Sequence, residues 1–180
     1  YFTDVITRID LGSGEVLGQV KTHTPFAEGD RSAYSSNPQD YLWLSEDEAW
    51  VTRYEPNTAQ DFPEEDAGSD LLRIQPTDMT RTGQRIDLRD LETTVSLDQN
   101  GEDTPREIYP RPGRMVRLQQ RVVVGLDGLS LSFDAAGPGM VAIIELAQGR
   151  VSPVSLEELA SCGSVAAVPG EPDLVVISCS

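Results

Sequence analysis

A strand–turn–strand pattern recurs along this chain, and a chain built of such copies must stack them to bury a common apolar face. Thr7-Arg8-Ile9-Asp10-Leu11 aligns without a gap on Leu72-Arg73-Ile74-Gln75-Pro76, 65 positions later. The match extends to Gly18 over Gly83 and Gln19 over Gln84. Ile9-Asp10-Leu11, and Val16 after it, align again on Ile144-Glu145-Leu146 and Val151, 135 positions later. Each copy reads as a strand, a turn rich in Gly, Ser, Thr or Asp, and a second strand, which predicts a β-hairpin.

A second hairpin type lies between these copies. Leu42-Trp43-Leu44 leads through Ser45-Glu46-Asp47-Glu48 into Ala49-Trp50-Val51-Thr52. Met115 to Leu118 leads through Gln119-Gln120 into Val122-Val123-Val124, and Val165 to Val168 leads through Pro169-Gly170-Glu171-Pro172 into Leu174 to Ile177. With the first type named CD and the second AB, the order is CD, AB, CD, AB, CD, AB. An AB hairpin followed by a CD hairpin makes four antiparallel strands, the blade of a β-propeller. No apolar period of 3.6 persists for three turns, so the predicted class is all-β. The chain reads as a single domain over 1–180, with about three blades' worth in pieces near 4–20, 41–88, 114–156 and 164–178.

Three blades are fewer than the usual minimum of about four. The expectation is therefore a portion of a longer chain, or a half completed by a second chain. Its first CD and last AB hairpins should then carry unpaired strand edges.

The connections Thr22 to Gln39, Glu55 to Ser69 and Arg89 to Pro110 read as long polar loops, where binding functions concentrate on rigid scaffolds. The 30 acidic residues against 14 basic ones give a net charge of −16, which repels phosphate backbones and anionic lipid surfaces. No run of about 18 apolar residues is present. Nucleic acid and membrane insertion are excluded on these grounds, leaving a protein or a small molecule as the expected partner.

Trp50-Val51-Thr52-Arg53-Tyr54, a polar stretch, and then Leu71-Leu72-Arg73-Ile74 resemble the YVTN-type β-propeller repeat. Ile9-Asp10 and Ile144-Glu145 resemble its Ile-Asp pair, and Val16 to Val20 its last strand. Arg53 stands where that repeat usually has Asn, and Gln75-Pro76 replaces its acidic position. The resemblance implies a secreted or periplasmic member of the lactonase-like and surface-layer-like propellers, a group containing both enzymes and binding modules. It implies no catalytic residue, because the matched positions are structural.

Candidate sites are few. Asp98, Asn100, Glu102 and Asp103 offer oxygens at alternating positions that a calcium ion could use, but the stretch lacks the glycine and closing glutamate of an EF-hand. A solvated acidic loop is the plainer reading, as it is for Asp61 to Asp66. His23 has neither a Cys nor a G-x-S-x-G motif to complete a triad. Gly125 to Gly128 and Ala136 to Gly139 precede no helix, so they read as turns rather than phosphate cradles. Trp43 and Trp50 alternate with apolar residues and are expected to pack between blades.

Cys162 and Cys179 could be free thiols, part of a metal site, or a disulfide. His23 is the one further N or S ligand available, too few for zinc. If Val165–Val168 and Leu174–Ile177 pair about the Gly170-Glu171 turn, Ser164 faces Ile177 and the two cysteines face each other. A disulfide is expected, and with it a periplasmic, cell-surface or extracellular location. Ile9, Ile74 and Ile144 are expected to be buried between blades. The expected function is a non-enzymatic binding or scaffold module without a cofactor; the alternative is a lactonase-like or other hydrolase with a metal-assisted site at a channel.

Overall fold

The computed structural model describes residues 4–24, 34–99 and 102–180. The fold is all-β, with 57% of the described residues in strands and bridges and 4% in helix. The chain divides into two compact units, Tyr1–Asp87 and Leu88–Ser180.

In the first unit, β1 (Val5–Ile9) and β2 (Val16–Lys21) form a two-stranded antiparallel hairpin. β3 (Pro38–Ser45), β4 (Glu48–Pro56), β5 (Gly68–Gln75) and β6 (Thr80–Asp87) follow as a four-stranded meander in chain order. In the second unit, β7 (Thr93–Gln99) and β8 (Glu102–Ile108) form a hairpin. β9 (Pro112–Leu118), β10 (Arg121–Leu126), β11 (Met140–Glu145) and β12 (Arg150–Ser155) make a second four-stranded meander, and β13 (Ser164–Ala167) with β14 (Val175–Ser178) a last hairpin. Single 3-10 turns lie at Glu64–Asp66 and Arg89–Leu91.

The AB and CD hairpins thus join into two four-stranded sheets as the repeats require. The β7–β8 hairpin corrects the reading of Arg89 to Pro110 as a loop. Gln99 pairs with Glu102, so Asn100-Gly101 is all that separates the strands. In sequence, Asn-Gly is a strong hairpin signal, and flanking Thr, Val and Leu residues supply β-propensity.

Backbone conformation repeats along with sequence. The last residue of each CD turn takes a positive φ: Gly14 at 75°, Met79 at 51° and Gly149 at 63°. Asn37, Arg111 and Ser161, each at the entrance to an AB hairpin, have φ of 45°, 49° and 45°. Left-handed φ is costly for residues with a Cβ, so its recurrence at matching places marks a shared backbone plan.

The central strands β4 and β10 are buried almost throughout, as strands covered on both faces must be. In the first unit, Ile6 and Val20 of β1–β2 pack on Val51, Leu72, Ile74 and Met79. Gly18 leaves the space Met79 needs, since a Cβ there would lie 2.8 Å from Met79 Cγ. In the second unit, Val165, Val175 and Ile177 of β13–β14 join the cluster around Leu118, Val123 and Val141.

Ile74 and Ile144 are 0% exposed, whereas Ile9 is 49% exposed, which corrects the expectation for that copy. Ile6 faces inward from β1, and Ile9 sits past a register shift between Arg8 and Ile9, toward the turn. Ile74 lies under the β1–β2 layer, but no comparable layer covers Ile9 among the described residues. Trp50 is buried as expected, and Trp43 is 48% exposed, which corrects its assignment as packed.

Cys162 and Cys179 form a disulfide with Cα atoms 4.0 Å apart. The strand register differs by one residue from the expected one, because Val165 opposes Ile177 and Ser164 opposes Ser178. Gly163 is the extra residue that brings the cysteines together. The other two AB hairpins slip in the same place, between Pro38 and Asp40 in one and beside the Pro112–Leu126 pair in the other. The disulfide therefore stands where those hairpins close with Pro38 opposite Arg53 and Pro112 opposite Leu126. A bond of this kind persists in a non-reducing compartment. No helix among the described residues is long and apolar enough to cross a membrane.

Candidate functional site

The predicted calcium ligands do not gather at one point. Asp98 and Asp103 are opposed across β7–β8, and Glu102, next along the strand, points to the other face. Asn100 lies outside the described residues. Among the described residues no group of three or more His, Cys, Asp or Glu side chains is placed to hold a metal ion.

Asp61 to Asp66 is a solvated face only in part. Asp66 is buried in an ionic network centred on Arg53, which is itself fully buried. Arg53 Nε and Nη2 donate to the two Asp70 carboxylate oxygens at 2.7 and 2.5 Å. Nη1 donates to the Thr22 carbonyl at 2.9 Å and to Asp66 Oδ1 at 3.4 Å, and Nη2 to the Glu65 carbonyl at 2.6 Å. Arg81 reaches Asp66 at 3.1 Å and Arg85 reaches Asp70 at 3.4 Å. Burial opposes the Arg53 charge, but the Asp70 hydrogen bonds and charge outweigh it and hold its pKa above the ordinary value. The network occupies the N–H donors of the guanidinium fork with the protein's own groups, which is the chemistry of a fixed structural centre. Charge runs are usually solvated, and the signal missed was a lone Arg closing the apolar strand Ala49 to Thr52, with Asp70 opening the next.

His23 belongs to the edge of this network. Its Nδ1 meets the Thr24 carbonyl at 2.7 Å and its Nε2 lies 3.6 Å from Asp4 Oδ2. Asp4 in turn accepts from the Ser35 hydroxyl and the Ser36 amide at 2.9 and 3.0 Å. Both ring nitrogens thus lie near oxygen atoms of the fold, the Thr24 carbonyl and the Asp4 carboxylate.

A hollow of about 490 Å³ is lined by Thr94, Pro105, Arg106, Glu107 and Tyr109 from the β7–β8 side and by Ser130, Leu131 and Ser132 from the loop after β10. No known family model and no curated protein matches the chain. The hollow is defined by geometry alone. Thr94 and Glu107 are directly opposed on one face of the hairpin, and the two-residue period adds Pro105 and Tyr109 to that face. Tyr109 donates its hydroxyl to Glu107 Oε2 at 2.8 Å. Burial, with the adjoining Glu107, pushes the Tyr109 pKa up to about 12, so the phenol keeps its proton at neutral pH.

The facing loop is held from three sides. Leu129 exchanges two backbone hydrogen bonds with Tyr109, both at 3.1 Å. The Ser130 hydroxyl donates to Asp134 at 2.7 Å and accepts from the Asp134 and Ala135 amides, both at 3.1 Å. Buried Arg111 donates to the Leu129 and Ser130 carbonyls at 3.2 and 3.0 Å and lies 4.0 Å from the Phe133 ring centroid. Asp134 is held well below the usual carboxylate range by the Ser132 and Ser130 hydroxyls and by Arg106. Ser130-x-Ser132-x-Asp134 is a local turn-forming spacing that marks this loop in the sequence.

Proposed function

We propose that this chain contributes blades to a YVTN-like β-propeller and serves as a non-enzymatic binding or scaffold module. Its place is the periplasm, the cell surface or the exterior, in keeping with the disulfide. Support for the propeller comes from the stacking within each unit. In the first, a hairpin earlier in the chain lies on the face of its sheet bearing Val51 and Leu72. In the second, a later hairpin lies on the face bearing Val123 and Val141. Aligned by their repeats, these are opposite faces, as expected of successive layers in a ring.

The observation that carries the binding reading is the hollow between β7–β8 and the Leu129–Ala136 loop. Leu131 lines it and Phe133 is exposed on the same loop, whose backbone is fixed by hydrogen bonds, and a contact surface ordered in advance loses less entropy on binding. A thermal-shift screen with divalent cations, sugars and lactones tests it. A ligand that raises Tm for the wild type and not for a Leu131→Ser/Phe133→Ser variant is the expected result. Steady turnover of a lactone would replace the reading with a hydrolytic one.

A further inference from the structure

We propose that the hollow beside Glu107 receives an organic cation, an alkylammonium or a basic side chain, between the Pro105 and Tyr109 rings. This rests on the binding reading and names its ligand class. The charged side chains that line the hollow are Arg106 and Glu107. Arg106 is matched by Asp134 at 3.0 Å, and Arg111 is buried behind the loop against the Phe133 ring. The exposed Glu107 carboxylate shares one oxygen with a neutral phenol, so its charge is not cancelled by that partner. With Arg106 matched by Asp134, Glu107 is the remaining charge among the described residues lining the hollow, within a chain of net charge −16.

The walls suit a weakly hydrated cation. An aromatic ring and a proline ring flank the carboxylate on one strand face, and Leu131 stands opposite. Cations bind over an aromatic ring because its electron-rich face attracts charge, and alkyl groups leave water against the tyrosine and proline rings alike. A carboxylate adds a charge-assisted contact. The hydroxyls of Ser130 and Ser132 are already committed to Asp134, which disfavours a polyhydroxylated ligand that would need them.

The test is an NMR titration of the full chain at constant ionic strength. Tetramethylammonium chloride, a blocked Gly-Lys-Gly peptide and maltose are the probes. Saturable shifts at Thr94, Glu107, Ser130 and Leu131 are expected with the first two. Saturation by tetramethylammonium identifies a free ammonium headgroup as sufficient, and saturation by the peptide alone identifies a basic side chain of a protein partner. Glu107→Gln should weaken binding at least about tenfold, whereas Glu158→Gln, which removes an equal charge from an exposed site, should leave it unchanged. Equal weakening by both variants, or no saturable shift with either cation, overturns the proposal. Shifts with maltose alone would overturn it while sparing the binding reading.

Discussion

Arg53 and Leu126 occupy matching places in the two meanders, opposite Pro38 and Pro112, yet one carries a buried charge and the other an apolar chain. Their neighbours differ accordingly. Asp70 pairs with Arg53 across β4–β5, and the repeat puts Met140 at the corresponding place in β11. The first unit has Thr22, Asp66 and Glu65 to satisfy the guanidinium, while in the second the side chains at the same corner, Leu126 and Met140, are apolar and the Leu126 carbonyl accepts from the Cys162 amide at 3.0 Å. A shared backbone register therefore leaves the means of closure open. Two ways exist to fasten this corner, and the disulfide of β13–β14 is a third.

The largest break in that comparison should come from Asp70→Ala, which strands a buried guanidinium and is expected to cost about 3 to 5 kcal/mol. Met140→Ala, at the half-buried counterpart, should cost about 1 kcal/mol. Urea unfolding of the two variants checks this, and equal losses would dissolve the distinction. Cys162→Ser with Cys179→Ser should cost about 3 kcal/mol, and the unreduced, unfolded wild type should show no free thiol. Ile74→Ala is expected to cost about 2 kcal/mol or more through lost burial and a residual cavity. Ile9→Ala should cost less than about 1 kcal/mol, because that copy is half exposed. Met79→Gly sharpens the smallest difference. It relieves a left-handed backbone but removes a buried side chain seated on Gly18, for a net loss of about 1 kcal/mol. A stabilised variant would mean that the turn, rather than the packing, controls this corner.

The hairpins were legible because strand pairing leaves a period of two and turns leave Gly, Pro and Asp, as around Ile74 and Ile144. One-residue slips were not legible, because a bulge such as Gly163 changes no residue type. The cysteines were matched correctly, but through a register one residue away from that of Val165 and Ile177. Asn100-Gly101 was a hairpin signal obscured by the acidic residues beside it. The Arg53 network joins residues from Asp4 to Arg85, and no local pattern announces which of many exposed-looking charges will meet inside. The Ser130-x-Ser132-x-Asp134 spacing was a local turn signal, but the hollow draws its two walls from segments about 25 residues apart, and that meeting shows only once the chain is folded.

The disulfide closes residues 162–179 into a covalent ring, with the exposed turn Pro169–Pro172 at its far end. A protease cutting between Gly170 and Glu171 would therefore add the mass of one water and release nothing. Val175 and Ile177 would stay attached beside the cluster they help to bury. Such a nick would be silent on a non-reducing gel and visible only after reduction, so this corner of the protein can be damaged by digestion without being dismantled by it.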